Sequence, residues 1–159
     1  MNTRTITAFL AITFLSFGLN AQTKAITNGV INWEGSKITT ESHVGTINIS
    51  KGTLTFEDDA LTGGNFTVDM NSIVCTDLSE EYGARLVGHL ESDDFFGVAE
   101  HPEATLVFTS VTPSDEGYQI TGDFTIRGIT HSESFELKID NNTATAEFEI
   151  DRSKYNVKF

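Results

Sequence analysis

The sequence predicts an all-β domain, a meander of about eight antiparallel strands closed into a barrel or a sandwich, with one or two short helices inserted around residues 77–97. Three observations carry that prediction. From Thr27 onward apolar and polar residues alternate with period two, as strands with one buried and one wet face require. The alternating runs are separated by stretches rich in turn formers, such as "TPSDEG" and "NN". The period lengthens toward that of a helix only between Ser72 and His101. An open sheet with this many strands would leave two long edges exposed, which favours closure.

Residues 1–21 are set apart from the fold. Arg4, an apolar run from Ile6 to Gly18 and then "LNAQ" read as a secretory signal peptide cleaved near Ala21. The run is shorter than the ~20 residues a spanning helix needs, and no cysteine stands at the cleavage point to carry a lipid. The expected location is therefore periplasmic or secreted. Of 159 residues this leaves 138, enough for one domain at 22–159 with one core. Arg4 is the only charged side chain removed, so the net charge moves from -13 to -14. So acidic a surface repels phosphate backbones and anionic headgroups, which excludes nucleic acid as an electrostatic partner. Cys75 is single, so no intramolecular disulfide forms, and "SIVCTD" offers no cation or base to activate it; it reads as a small buried apolar residue.

The elements follow in order. "AITNGVINW" is the first strand, with Trp33 packing into the core and its indole nitrogen hydrogen-bonded. "GTINIS" places Ile47 and Ile49 on one face and "TLTF" offers Leu54 and Phe56, so Lys51-Gly52 between them reads as a hairpin turn. A strand after Gly63-Gly64 shows Phe66, Val68 and Met70 to one side. In "DLSEEYGARLVGHL" Leu78, Tyr82, Leu86 and Leu90 recur at steps of four, with Asp77 or Ser79 as the N-cap and Gly83 weakening the middle. Pro102 closes the helical stretch. Alternation resumes in "ATLVFTSV", in "YQITGDFTI" with Tyr118, Ile120, Phe124 and Ile126, and in "SFELKID" with Phe135, Leu137 and Ile139. "TATAEFEI" follows, with Ala144, Ala146, Phe148 and Ile150 on one face. "KYNVKF" then sets Tyr155, Val157 and Phe159 on one face of a strand that stops in mid-pattern, as in a chain lacking its final strand or two.

The string "HLESDDFFGVAEHPEAT" has the residue types of a metal site in His89, Glu91, Asp93, Asp94 and His101. A helical zinc pair needs histidines four apart, and the residue four after His89 is Asp93. The plainer reading has Ser92 or Asp93 cap a new turn that buries Phe95 and Phe96 while Glu91 and Asp94 stay wet. A hydrolase using Asp93, Asp94 and His89 on an exported polymer is an alternative, but paired carboxylates must face each other across a cleft, which adjacency does not supply. No "GxSxG", "HExxH" or phosphate-binding glycine loop is present. In "FTIRGITH" Arg127 and Gly128 interrupt an apolar strand, as a bulge, a corner or a polar contact to a ligand would.

Taken together, "NWEGSK", "GGNFTVDMNSI", "HLESDDFFGVAEHPEAT", "YQITGDFTIRGITH" and "FEIDRSKYNV" stand in the order and spacing that resembles the YceI-like family of exported bacterial lipid-binding proteins, over about Thr27 to Phe159. The resemblance implies an extended lipocalin-like barrel around a long apolar tunnel, with a helix at one opening. The implied ligand is a polyisoprenoid, a quinone-type tail or a fatty acyl chain. It implies no catalytic residues, no required cofactor and no metal. The residues placed to line such a tunnel are Phe66, Val68, Met70, Phe108, Phe124, Ile126, Phe135, Leu137 and Phe148, with Leu86, Leu90, Phe95 and Phe96 at the entrance and Arg127 as a polar contact. Transient contact with a membrane or a membrane protein would fit a carrier, and an adaptor whose outer strands bind a membrane oxidoreductase is a further alternative to it. Family members continue past the equivalent of Phe159 with residues that complete the barrel, so this chain is expected to show an open seam.

Overall fold

The computed structural model describes residues 21–36 and 42–158. Residues 1–20 of the leader expected at 1–21, and the Phe159 end of the expected last strand, lie outside the described residues, while Ala21, the last residue of that leader, is the first residue of a strand. Among the described residues the eight strands are β1 (Ala21–Ala25), β2 (Gly29–Ser36), β3 (Ser42–Glu57), β4 (Ala60–Cys75), β5 (Glu103–Pro113), β6 (Tyr118–Ile126), β7 (Ile129–Asp140) and β8 (Thr143–Ala146), with one α-helix, α1 (Glu80–Glu91), between β4 and β5. Every pairing is antiparallel. β1 and β2 pair with successive halves of β3, and from β3 to β8 each strand pairs with the next in sequence. The all-β meander predicted from the alternation is therefore the observed fold. It curls into a half-barrel: among the described residues β8 pairs with β7 alone, leaving a seam between β8 and the β1/β2 edge.

The Lys51-Gly52 turn is not there. β3 runs unbroken through both residues, and its register against β4 slips between Ile49 and Lys51. That bulge switches the inward face from odd to even positions, so Ile47, Leu54 and Phe56 are all buried by one strand rather than two. The actual hairpin is Asp58-Asp59, where both residues have positive φ (47° and 67°) as a two-residue turn between paired Glu57 and Ala60 requires. Arg127-Gly128 is a second turn of this kind, φ 52° and 73°, between paired Ile126 and Ile129, and not a bulge within a strand. The expected turns at "TPSDEG" and "NN" both connect strands.

Helix α1 forms where the period lengthens, but packs on a different stripe from the one expected. Leu78 precedes it and Tyr82 is 60% exposed, whereas Gly83 is buried and Val87 and Leu90 pack against the second core cluster. Steps of four overshoot a turn by about 40° each, so such a series winds around the helix; Gly83, Val87 and Leu90 at steps of four and three stay on one side. Ser79 is the N-cap by position without a side-chain bond. Ser92 ends α1, its hydroxyl donating back to the His89 carbonyl at 2.7 Å, and its own carbonyl opens the expected next turn by accepting from the Phe95 amide at 2.9 Å.

The C-terminal run is the largest difference. β8 stops at Ala146, residues 147–150 form no strand, and "RSKY" is a short 3-10 helix (Arg152–Tyr155). Asp151 accepts from Ser153 at its start and Asn156 takes a left-handed conformation (φ 57°) at its end. Tyr155 and Val157 still point the same way, and both are fully buried, because the left-handed residue between them turns the chain back. Alternate burial at two positions does not distinguish this from a strand.

Candidate functional site

The inward side chains make two adjoining apolar clusters. One contains Leu54, Phe56, Leu61, Ile120, Phe124, Phe135 and Leu137 together with Tyr155 and Val157. The other contains Ile47, Met70, Ile73 and Val98, with Trp33, Val68, Val87 and Leu90 packed on it. Phe96 touches both. The Trp33 indole donates to the Thr46 carbonyl at 3.3 Å, as expected.

A continuous series of aromatic rings crosses the concave face of the first cluster. Phe66 lies 5.6 Å from Phe108, Phe108 lies 5.9 Å from Phe135, and Phe135 lies 6.0 Å from Phe124. Phe148 covers the end, stacked on Phe135 at 4.6 Å and 5.3 Å from Phe124, while staying 39% exposed. Phe108 on β5 reaches Phe135 on β7 across the intervening strand because the sheet is curled and because glycine supplies room. A Cβ on Gly64 would come within 2.8 Å of the Phe108 ring, and one on Gly122 within 2.6 Å of Leu106. Each glycine is a notch that lets a large neighbour lie over the sheet.

Of the residues expected to line a tunnel, Phe66, Phe108, Phe124, Phe135 and Phe148 form this series, with Leu137 buried and Ile126 half-buried in the same cluster. Val68 and Met70 fall in the second cluster, beneath α1. Leu90 lies there too, Leu86 is half-buried, and Phe95 and Phe96 sit edge to face at 5.2 Å. Phe95 also lies 5.6 Å from the His89 ring, and the Arg152 guanidinium stands 4.9 Å over it. Leu61, Tyr155 and Val157 share the first cluster without a signal in the sequence that marks them: the last two lie in a run that alternates like a strand, and Leu61 follows a hairpin turn that alternation does not locate.

Arg127 is a clamp within the protein. Nη1 donates to the carbonyls of Phe95 (2.8 Å) and Asn156 (2.9 Å), and Nη2 donates to that of Asp93 (2.6 Å). One guanidinium thus ties the β6–β7 turn to the loop after α1 and to the C-terminal segment. That segment is held again by Lys154 Nζ on Glu133 (2.8 Å) and by His131 Nε2, 3.0 Å from the Lys154 carbonyl.

At the other end of β4, Asp77 joins β3 to the helix entry. Its carboxylate accepts from the Val44 amide (3.2 Å) and the Cys75 thiol (3.1 Å) and lies 3.0 Å from His43 Nδ1. The thiol bond first, and the contact with His43 second, hold the Asp77 carboxyl down at about 2. Burial, and then the hydrogen bond to that carboxylate, push the Cys75 thiol up, and the residue is half-buried and hydrogen-bonded rather than the buried apolar residue expected. Asp93 and Asp94 are exposed, and Arg127 holds the backbone carbonyl of Asp93, not its carboxylate. Two clefts, of about 350 Å³ by Phe56, Asp58 and Asp59 and about 260 Å³ between α1 and the end of β4, are lined by other residues.

This architecture recurs in solved proteins. Burkholderia cenocepacia BcnA superposes with a TM-score of 0.64 at 19% identity, covering 86% of this chain and 81% of that one. A Campylobacter jejuni YceI protein gives 0.52 at 14% identity over 96% and 80%. By sequence, protein YceI of Escherichia coli O17:K52:H18 is 28% identical over 141 residues, 83% of this chain and 72% of the relative. A UPF0312 protein of Pectobacterium carotovorum is 31% identical over 97 residues, 60% of this chain and 47% of its own. The model of the YceI-like domain matches residues 10–159, and this half-barrel with an aromatic concave face accordingly belongs to the YceI-like family.

Proposed function

We propose that the chain is a binding and carrier protein for a long apolar lipid, a polyisoprenoid, quinone-type tail or fatty acyl chain, held along the concave face. The observation that carries this is the ring series from Phe66 to Phe148, apolar over its whole length and ending in a ring with one face in solvent. Such a surface rewards hydrocarbon without demanding a particular chemistry. Each buried CH2 contributes roughly 0.8 kcal/mol, so a dozen supply on the order of 10 kcal/mol before association costs. The carrier works after export to the periplasm or the exterior, directed by residues 1–21; the charged residue followed by an apolar run supports that part.

Extraction of the purified protein with organic solvent, or native mass spectrometry, tests the proposal directly. The protein is expected to leave its host with lipid bound. Phe124 is too deeply buried for a charged substitution to be informative, whereas Phe148 is partly exposed. Phe148→Glu is expected to keep the far-ultraviolet circular dichroism of the parent and to lower bound lipid about tenfold or more. A folded chain that carries no lipid from its host and takes none from vesicles overturns the reading.

A further inference from the structure

Tyr155 is 0% exposed, and its hydroxyl is the one buried side-chain polar atom among the described residues with no hydrogen-bond partner. Native proteins pair such groups almost without exception, because an enclosed hydroxyl that has lost water and gained nothing is destabilising. The surroundings sharpen the anomaly. Tyr155 shares its cluster with Ile120, Phe124 and Phe135 on the face where the lipid is proposed to lie, and its ring stands edge-on to His131 at 5.1 Å. His131 is paired directly with Phe124 across β6 and β7, so ring and tyrosine address the same side of the sheet. The backbone on either side of Tyr155 is anchored by Arg127 at the Asn156 carbonyl and by His131 at the Lys154 carbonyl, and the Lys154 side chain is held by Glu133.

We infer that the Tyr155 hydroxyl is the polar anchor of the lipid site and donates a hydrogen bond to an oxygen acceptor on the bound molecule. This rests on the lipid-carrier reading and narrows it: the preferred ligand is a long apolar chain bearing a carbonyl or similar oxygen, not a plain hydrocarbon. Burial, and after it the Glu133 carboxylate, push the phenol above its ordinary pKa, so it remains a donor at any physiological pH. A fixed donor in an apolar lining discriminates strongly, since a ligand lacking the acceptor leaves the hydroxyl unpaired.

Tyr155→Phe removes the oxygen and keeps the ring. The full chain and the variant are loaded from mixed micelles with a long-chain methyl ketone or with the alkene of equal length, and bound lipid is counted by native mass spectrometry. The wild type is expected to hold the ketone about tenfold better than the alkene, and the variant to hold the two equally. The variant's unloaded melting temperature is expected to be unchanged or higher, because an unpaired hydroxyl has been removed. A variant that keeps the ketone preference overturns the assignment, as does a wild type that binds both lipids equally. A clear fall in unloaded stability also overturns it, since the hydroxyl then has a partner of its own, such as a buried water. A wild type that binds neither lipid overturns the carrier reading itself.

Discussion

Single residues in this protein mostly act by tying segments together. Asp77 accepts bonds from β3 and from Cys75 at the end of β4, joining the two strands where the chain leaves the sheet for α1. Its folded pKa of about 2 lies below the ordinary carboxylate value, so its contribution is present above that value and is lost as pH falls through the folded one. The melting temperature of the wild type should therefore exceed that of Asp77→Asn above about pH 4, and the gap should close as pH falls toward about 2. A gap of the same size at pH 2 would mean that the carboxylate is not the stabilising group. Arg127 works in the same way through carbonyls, which makes its residue type legible in the sequence but its partners, 29 to 34 positions away, not.

At the scale of elements, glycine has opposite roles in helix and sheet. Gly88 lies on α1 with nothing within 4 Å of where a Cβ would stand, so Gly88→Ala adds helix propensity at no steric cost and should stabilise by about 1 kcal/mol. Gly64→Ala would press a methyl into the Phe108 ring at 2.8 Å and should destabilise by about 1–3 kcal/mol. Urea unfolding of the two variants reads both signs. A Gly64→Ala protein as stable as the parent would show that the ring series tolerates repacking, and Phe108 would lose its place as a fixed part of the lining.

The whole molecule is a curled sheet whose two end strands are exposed along their whole length. Ile120 on β6 is fully buried, Phe135 and Leu137 on β7 nearly so, while every residue of β1 and β8 is exposed. Hydrogen exchange should follow this order, with amides of β6 and β7 slowest and those of β8 faster by orders of magnitude. Uniform protection across β8 and β6 would contradict the seam. If lipid enters the concave face, loading should slow exchange around residues 147–150, where Phe148 lies over Phe124 and Phe135.

Period-two alternation was sufficient to determine the all-β class, the position of the helix and most of the inward face, because alternation is a local consequence of the pleat and each run carries its own copy of it. The aromatic content of that face was legible too, down to Phe66, Phe108, Phe124 and Phe135. What the tertiary structure decided were the places where a local pattern has two solutions. Ile49 and Leu54 can be brought to one side by a turn at Lys51 or by a bulge, and only pairing with β4 selects the bulge. Tyr155 and Val157 can alternate in a strand or flank a left-handed Asn156, and only docking against Arg127, His131 and Glu133 selects the second. Both choices depend on partners distant in sequence, which alternation does not encode. The second is what encloses the hydroxyl of Tyr155 within an otherwise apolar core.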